Sequence, residues 1–413
     1  MIKEDKSWAF DDLTIKDTNY LTHGYHKYPA KFIPQIVSKI LLKYSSEGDW
    51  ILDPFGGCGT TLVESKLKNR NSIGIDINDV AVLIAKTKIS EISPSKIEQN
   101  NEILIYKISQ IKKIKNHYAN ANDRLKYWFK KKEYNKLMEV YKLINKVSDN
   151  KIKLFYLCCF SNILKNCSIW YSKSIKPMRD LEKKIPDPFV IFEHHLKFMT
   201  ERNKVFFEKL KEENKRSITC IMKKGDARKL EINSSSMDLV ITSPPYMTSY
   251  EYAELHQLSS LWFGFAKDMN EIKEDFIGTS FRKSTEENFR SKIAEDIIKG
   301  LYKENKSLAR HASNYFSDIQ RSYKEIYRVL KKDGVACIIL GNTEYGSVKI
   351  KNAEASTELL RNIGFKILKI VKRRLTSKTF TPFRDGNGRF TNSRKAAKKT
   401  IYKHEYILVV RKI

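Results

Sequence analysis

The feature that most constrains the fold is the stretch "WILDPFGGCGTTLVESKLKNRNSIGIDIN", residues 50–78. A short apolar run ends at Asp53, and the chain then turns through Gly56, Gly57 and Gly59. "TTLVESKLKN" follows with helical spacing of its apolar residues, and a second apolar run, "SIGID", ends at Asp76. Strand, glycine turn, helix and strand in that order predict a parallel α/β unit. Glycines at such a turn tolerate positive φ and let a ligand approach the backbone. An acid closing the second strand can accept hydrogen bonds from ribose hydroxyls. The spacing matches neither GxGxxG nor GxxxxGK[ST], so neither a nicotinamide fingerprint nor ATP hydrolysis is indicated; a nucleoside-bearing cofactor is.

The same rhythm recurs further along. Strand-like runs occur at "ITCIM" (218–222), "MDLVIT" (237–242), "VACIIL" (335–340) and "HEYILVVR" (404–411). Helical patterns cover "DVAVLIAKTKI" after an Asn78 or Asp79 cap, "NYFSDIQRSYKEIYRVLKK" (314–332) and "AEASTELLRNIGF" (353–365). The glycines of "KKDGV" and "NIGF" are expected to stop the last two. Alternating strands and helices imply an open, mostly parallel sheet. Residues 95–215 break the alternation with a long, Lys-rich, helical pattern, read as a subdomain inserted between the second and third strands. Two roles stand open for it, packing elaboration or substrate recognition. The expected division is 1–94 and 216–413 as two parts of one catalytic domain, with 95–215 inserted.

The strand "MDLVIT" runs into Ser243-Pro244-Pro245-Tyr246. Two adjacent prolines have no N–H and cannot extend a central strand. They make a stiff turn at the carboxyl end of the sheet, where open α/β proteins bind ligands. The Ser243 hydroxyl and the local carbonyls are fixed acceptors suited to an amino group, and the Tyr246 ring offers a stacking face for a planar base.

The chain has 413 residues and a formal net charge of +29. Such an excess points to a polyanion partner, most often nucleic acid; a lysine-rich proteome is the alternative source. The basic, aromatic-interleaved stretch 372–400 is the expected contact, through Arg373, Arg374, Lys378, Arg384, Arg389 and Arg394, and a solvated hairpin is its bland reading. The polar stretch 275–300 reads as a loop entering a helix. Six scattered cysteines form no CxxC pair, and His23 and His26 lack a visible third ligand, so no metal is expected. Without a signal peptide or an apolar run near the ~20 residues of a membrane helix, a cytoplasmic protein with reduced thiols and no membrane association is expected.

Taken together, "DPFGGCGTT", "GIDIN" and "TSPPY" resemble the S-adenosylmethionine-dependent amino-methyltransferases that modify exocyclic amines of DNA bases. "YPAKFIP", "GDAR", "YRVLKKDG" and "HEYILVVRK" resemble further segments of that family. The resemblance implies a Rossmann-like methyltransferase fold with a mostly parallel seven-stranded sheet, S-adenosylmethionine as cofactor, and double-stranded DNA as partner. It assigns the catalytic turn to Ser243, Pro244, Pro245 and Tyr246. The cofactor pocket falls to Tyr28, Pro29, Lys31 and Phe32, to Asp53, Pro54, Phe55, Gly57, Gly59, Thr60 and Thr61, to Asp76 and Ile77 on the ribose, and to Asp226 and Ala227 near the adenine. In that family the serine form is typical of cytosine-N4 enzymes and the aspartate form of adenine-N6 enzymes. Cytosine N4 is therefore expected, reached by base flipping and direct transfer. The alternatives are adenine N6, guanine N2 in RNA, or a catalytically idle DNA-binding protein on the same scaffold. Only about 20 residues precede "HGYHKYPAKF", which disfavours the guanine reading, since those enzymes usually carry an extra N-terminal RNA-binding domain. A cognate restriction endonuclease and a monomer or homodimer complete the implied setting. The insertion departs from the usual place of a target-recognition domain, so 95–215, 275–300 and 372–400 all stand as candidates for reading bases.

Overall fold

The computed structural model describes residues 2–29, 31–213, 217–247, 252–273, 275–279, 289–375, 383–384, 399–400 and 404–413. Its centre is a seven-stranded sheet. The strands are β1 (Trp50–Asp53), β2 (Asn71–Asp76), β3 (Cys220–Lys224), β4 (Met237–Thr242), β5 (Leu330–Gly341), β6 (Phe365–Arg374) and β7 (His404–Lys412), in spatial order β3-β2-β1-β4-β5-β7-β6. β1, β2, β3, β4 and β5 pair in parallel. β7 slots antiparallel between β5 and β6. The chain moves outward from β1 to β3 and then returns to place β4 on the other side of β1. That reversal opens a crevice beyond the carboxyl ends of β1 and β4.

The sheet is buried on both faces because its strands alternate two sets of apolar residues. Ile51, Leu239, Ile241, Cys337, Ile339, Ile407 and Val409 pack with Ile36, Val37, Ile40 and Leu41 of α1 (Pro34–Tyr44). Their neighbours Leu52, Val240, Ala336, Ile338, Leu340, Leu408 and Val410 face the other layer. That layer is built after β4, and includes Phe316, Ile319 and Tyr323 of the helix Lys306–Val329 and Leu359 and Leu360 of Asn352–Ile363. α2 (Thr60–Leu67) and α3 (Asp79–Ile89) cover β2 and β3. Asn78 caps α3, its side chain accepting from the Val80 N–H at 3.0 Å.

The segment between β2 and β3 is helical, with α4 (Pro94–Ser109), α5 (Lys131–Asn145), α6 (Asn150–Leu164) and α7 (Pro188–Glu213). It shares a core with the sheet domain: Phe155, Phe160 and Leu196 cluster with Tyr25 and with Val80, Leu83 and Ile84 of α3.

One local reading changes, and one strand goes unread in the sequence. The helix expected over 314–332 spans Lys306–Val329 and runs directly into β5, so the glycine of "KKDG" does not cap it. Asp333 takes the positive φ, 62°, and Gly334 is needed because a Cβ there would stand 2.9 Å from the Lys331 carbonyl oxygen. Gly364, in contrast, does stop its helix, at φ 124°. β6 carries no clean apolar alternation in sequence; it is an edge strand whose Lys and Arg residues discourage further pairing.

Candidate active site

Asp53, at the end of β1, is 1% exposed and lies beneath the glycine turn. It accepts from the Thr61 hydroxyl (2.6 Å), the Thr242 hydroxyl (2.7 Å) and the Phe55 N–H (3.2 Å). The carboxylate thereby ties the ends of β1 and β4 to the start of α2. Burial pushes its carboxyl up to about 6, against the lowering effect of those donors. Gly57 and Gly59 adopt φ of 48° and 79°, as the turn requires. At Gly59 a Cβ would approach the Ala85 Cβ to 2.8 Å, so α2 and α3 meet there with no room for a side chain.

Asp76 closes β2. One oxygen accepts from the Gly57 N–H and the other from the Asn78 N–H, both at 2.8 Å. Burial pushes this carboxyl up to about 6 as well. Tyr28 lies over the glycine turn, 3.6 Å from where a Gly57 Cβ would be, and its ring stacks on His256 at 4.9 Å. Lys31 donates to Asn19 Oδ1 (2.6 Å) and the His23 carbonyl (3.0 Å), and burial pushes its ammonium down to about 8. His23 itself is committed to Glu64 (3.0 Å) and His26 to Ser161 (2.9 Å).

These groups surround one cavity of about 560 Å³ in the crevice between β1 and β4. Tyr28, Lys31, Phe32, Pro54, Phe55, Gly57, Thr60, Asp76, Ile77, Asp226 and Ala227 line it, as do Ser243, Pro245 and Tyr246. Pro29, Asp53, Gly59, Thr61 and Pro244, also expected at the site, are not among the residues that line it. Asp226 faces the cavity with its carboxylate bound to the Arg228 guanidinium at 2.7–2.9 Å, and Arg228 also meets Asp318 at 3.2 Å. The cavity thus has a carboxylate at a strand end, bare backbone, apolar walls and an ammonium, all within reach of a hydroxyl-and-carbonyl turn. That set suits a nucleoside bearing an amino-acid tail at one end and a planar amine at the other.

Of the expected DNA contacts, Arg374 is exposed, but Arg373 is 3% exposed. It pairs with Glu405 at 3.2 Å, which removes it from any set of phosphate contacts. Lys378, Arg389 and Arg394, and the side chain of Arg384, lie outside the described residues. The cavity also has lining that sequence reasoning missed. Lys176 and Pro177 come from the insertion, and His311 and Tyr345 approach from beyond β4, their Nδ1 and hydroxyl 3.1 Å apart. Tyr345 follows the carboxyl end of β5, so the strand-end logic applied to "TSPPY" could have found it. Nothing local in the sequence marks His311 or Lys176.

Among the described residues no group of three or more His, Cys, Asp or Glu side chains could hold a metal ion, and no helix is long and apolar enough to cross a membrane.

A family model described as DNA methylase matches residues 2–87 and 237–413, which leaves out the insertion and β3. The chain is similar to the type II methyltransferase M.MvaI of Kocuria varians, 26% identical with 90% of this chain and 89% of the relative covered. It is also 26% identical to the type II methyltransferase M.MjaII of Methanocaldococcus jannaschii, over 79% of this chain and 77% of the relative. Among solved structures, a SAM-dependent methyltransferase from Methanosarcina mazei aligns with 91% of this chain and 97% of its own at 11% identity, with a TM-score of 0.32.

Proposed function

The chain belongs to the DNA methylase family, whose cofactor is S-adenosylmethionine, and from that premise we propose that it methylates the exocyclic N4 amine of cytosine in double-stranded DNA. The observation that carries this reading is the serine at the head of the proline turn. Ser243 and Tyr246 line the same cavity as Asp76 and the glycine turn, so amine and cofactor share one chamber.

The residues fit the cofactor group by group. The Asp76 carboxylate is placed to accept from ribose hydroxyls, while Ile77, Asp226 and Ala227 line the side suited to adenine. Gly57, Thr60 and the Lys31 ammonium serve the amino-acid tail, beneath Tyr28 and Phe32. When bound, S-adenosylmethionine supplies a methyl group activated by a sulfonium. The protein's task is then positioning and electrostatic matching, with no covalent intermediate.

The cytosine amine is a poor nucleophile because its lone pair is conjugated with the ring. The Ser243 hydroxyl oxygen, on the cavity wall, accepts from one of its N–H bonds, favouring a pyramidal nitrogen with an available lone pair. The prolines hold that acceptor at fixed spacing from the Tyr246 ring. Tyr246 stacks on the extruded base and offsets an extrusion cost of a few kcal/mol. Cys58, 2% exposed within the glycine turn, has no nucleophilic part in this scheme.

The type II names of the relatives support a setting beside a cognate restriction endonuclease, with the enzyme acting on DNA in the cytoplasm. The test is mass spectrometry of nucleosides from both the DNA and the RNA of a methylation-deficient host expressing the protein. N4-methylcytosine is expected; N6-methyladenine, or methylated guanine in RNA with unmodified DNA, would overturn the assignment of the base.

A further inference from the structure

The two prolines fix the backbone ahead of Tyr246, but they leave its ring free to turn about two side-chain torsions. The ring is instead seated on the sheet. Glu405 of β7 pairs directly with Gly341 of β5 on one side and with Arg373 of β6 on the other. Residues directly opposite one another across strands project to the same face, so these three form one rung. β7 is antiparallel, so its first residues lie at the same edge of the sheet as the carboxyl ends of β4 and β5. That is how Glu405 reaches a tyrosine 159 positions away in sequence.

Each member of the rung meets the ring or what holds it. A Cβ on Gly341 would stand 3.1 Å from Tyr246 Cε2, closer than side-chain contacts usually come, so a side chain there would press on the ring and shift it. The Tyr246 hydroxyl donates to Glu405 Oε1 at 3.2 Å. Glu405 Oε2 pairs with Arg373 Nη1, also at 3.2 Å, and the two side chains are 13% and 4% exposed. A buried arginine without a counter-charge is strongly unfavourable; here it fixes the carboxylate so that one oxygen faces the phenol. An ion pair serving stability alone would need neither the hydroxyl nor the gap at Gly341.

We propose that the rung Gly341–Glu405–Arg373 sets the plane of the Tyr246 ring for the target base, with Glu405 and Arg373 as positioning residues. The inference rests on the reading of Tyr246 as the stacking ring. It also accounts for Arg373, which the basic composition of 372–400 had marked as a DNA contact.

A mutant cycle tests it. Tyr246→Phe removes only the hydroxyl. Glu405→Leu with Arg373→Met removes both buried charges together, and a third protein combines all three changes. Single-turnover methylation of unmethylated DNA is measured with methyl-labelled S-adenosylmethionine, alongside cofactor affinity. Tyr246→Phe and the Leu/Met pair should each slow transfer roughly ten-fold with cofactor affinity unchanged, and the combined protein should be no slower than either, because one route is being cut twice. Wild-type rates for Tyr246→Phe, or losses that multiply, would overturn the proposal. Tyr246→Phe leaves the ion pair in place and decides alone if the Leu/Met protein fails to fold. Tyr246→Ala separates the two levels. If it loses activity while Tyr246→Phe does not, only the positioning role falls. If it retains full activity, the stacking role falls with it.

Discussion

In the proposed scheme Ser243 is the residue on which the chemistry turns, and that role gives a sharp expectation. It touches the amine rather than the cofactor in the scheme above. Ser243→Ala should therefore lower turnover by roughly 10²-fold while calorimetric affinity for S-adenosylmethionine stays near the wild-type value. Asp76 makes the opposite prediction. Burial pushes its carboxyl up to about 6, and only the ionised form is a good acceptor for two ribose hydroxyls. Cofactor affinity should be level above about pH 7 and fall as pH drops through about 6; in Asp76→Asn it should be weak and lose that pH dependence. For folding alone the sign reverses. The carboxyls of Asp53 and Asp76 are both raised from 3.8 to about 6. Their favourable contribution is complete below about pH 4 and is lost as pH rises through about 6. That Ser243, Tyr246 and Asp76 come to one cavity was legible in the sequence, because Asp76 closes β2 and the proline turn directly follows β4, and strand ends are where this kind of sheet binds ligands. Arg373 was misread because composition reports charge and not direction. The sequence marks it as one of many basic residues, and only the pairing of β6 with β7 turns it inward onto Glu405.

At the scale of elements, the glycine turn and the two helices behind it are a single packed object. Gly59 combines a φ of 79° with an approach that would bring its Cβ within 2.8 Å of Ala85. Gly59→Ala should then lose about 1–3 kcal/mol through strain and overpacking, seen as a lower thermal midpoint and weaker cofactor binding together. Most strands could be read from their apolar runs, since a parallel strand buried on both faces is apolar along its length. β6 could not, because as an edge strand it interleaves Lys366, Lys369 and Lys372 with apolar residues. The start of β5 was mistaken for a helix end because a glycine after a helical pattern has two uses, and here it relieves a turn inside the strand entry rather than capping the helix.

At the scale of the whole molecule, two features lie beyond local pattern. One is the insertion, whose helical character is plain in the sequence but whose position is not. Its core continues into α3, and Lys176 and Pro177 reach the cavity wall, contacts between residues far apart in the chain that no window of sequence contains. The other is the net charge of +29. DNA affinity should fall steeply with salt, by on the order of 10³-fold between about 50 and 200 mM if six or more phosphates are engaged; a level dependence in a titration would contradict the polyanion reading. The central claim is that one chamber brings the cofactor's methyl group to a cytosine amine held by the proline turn. It is tested most directly by incubating the purified protein and its Ser243→Ala variant with methyl-labelled S-adenosylmethionine and unmethylated DNA, then digesting the DNA to nucleosides. The account predicts label in N4-methylcytosine for the wild type and almost none for the variant, which still binds cofactor. Label in another base, or undiminished label from the variant, would contradict it.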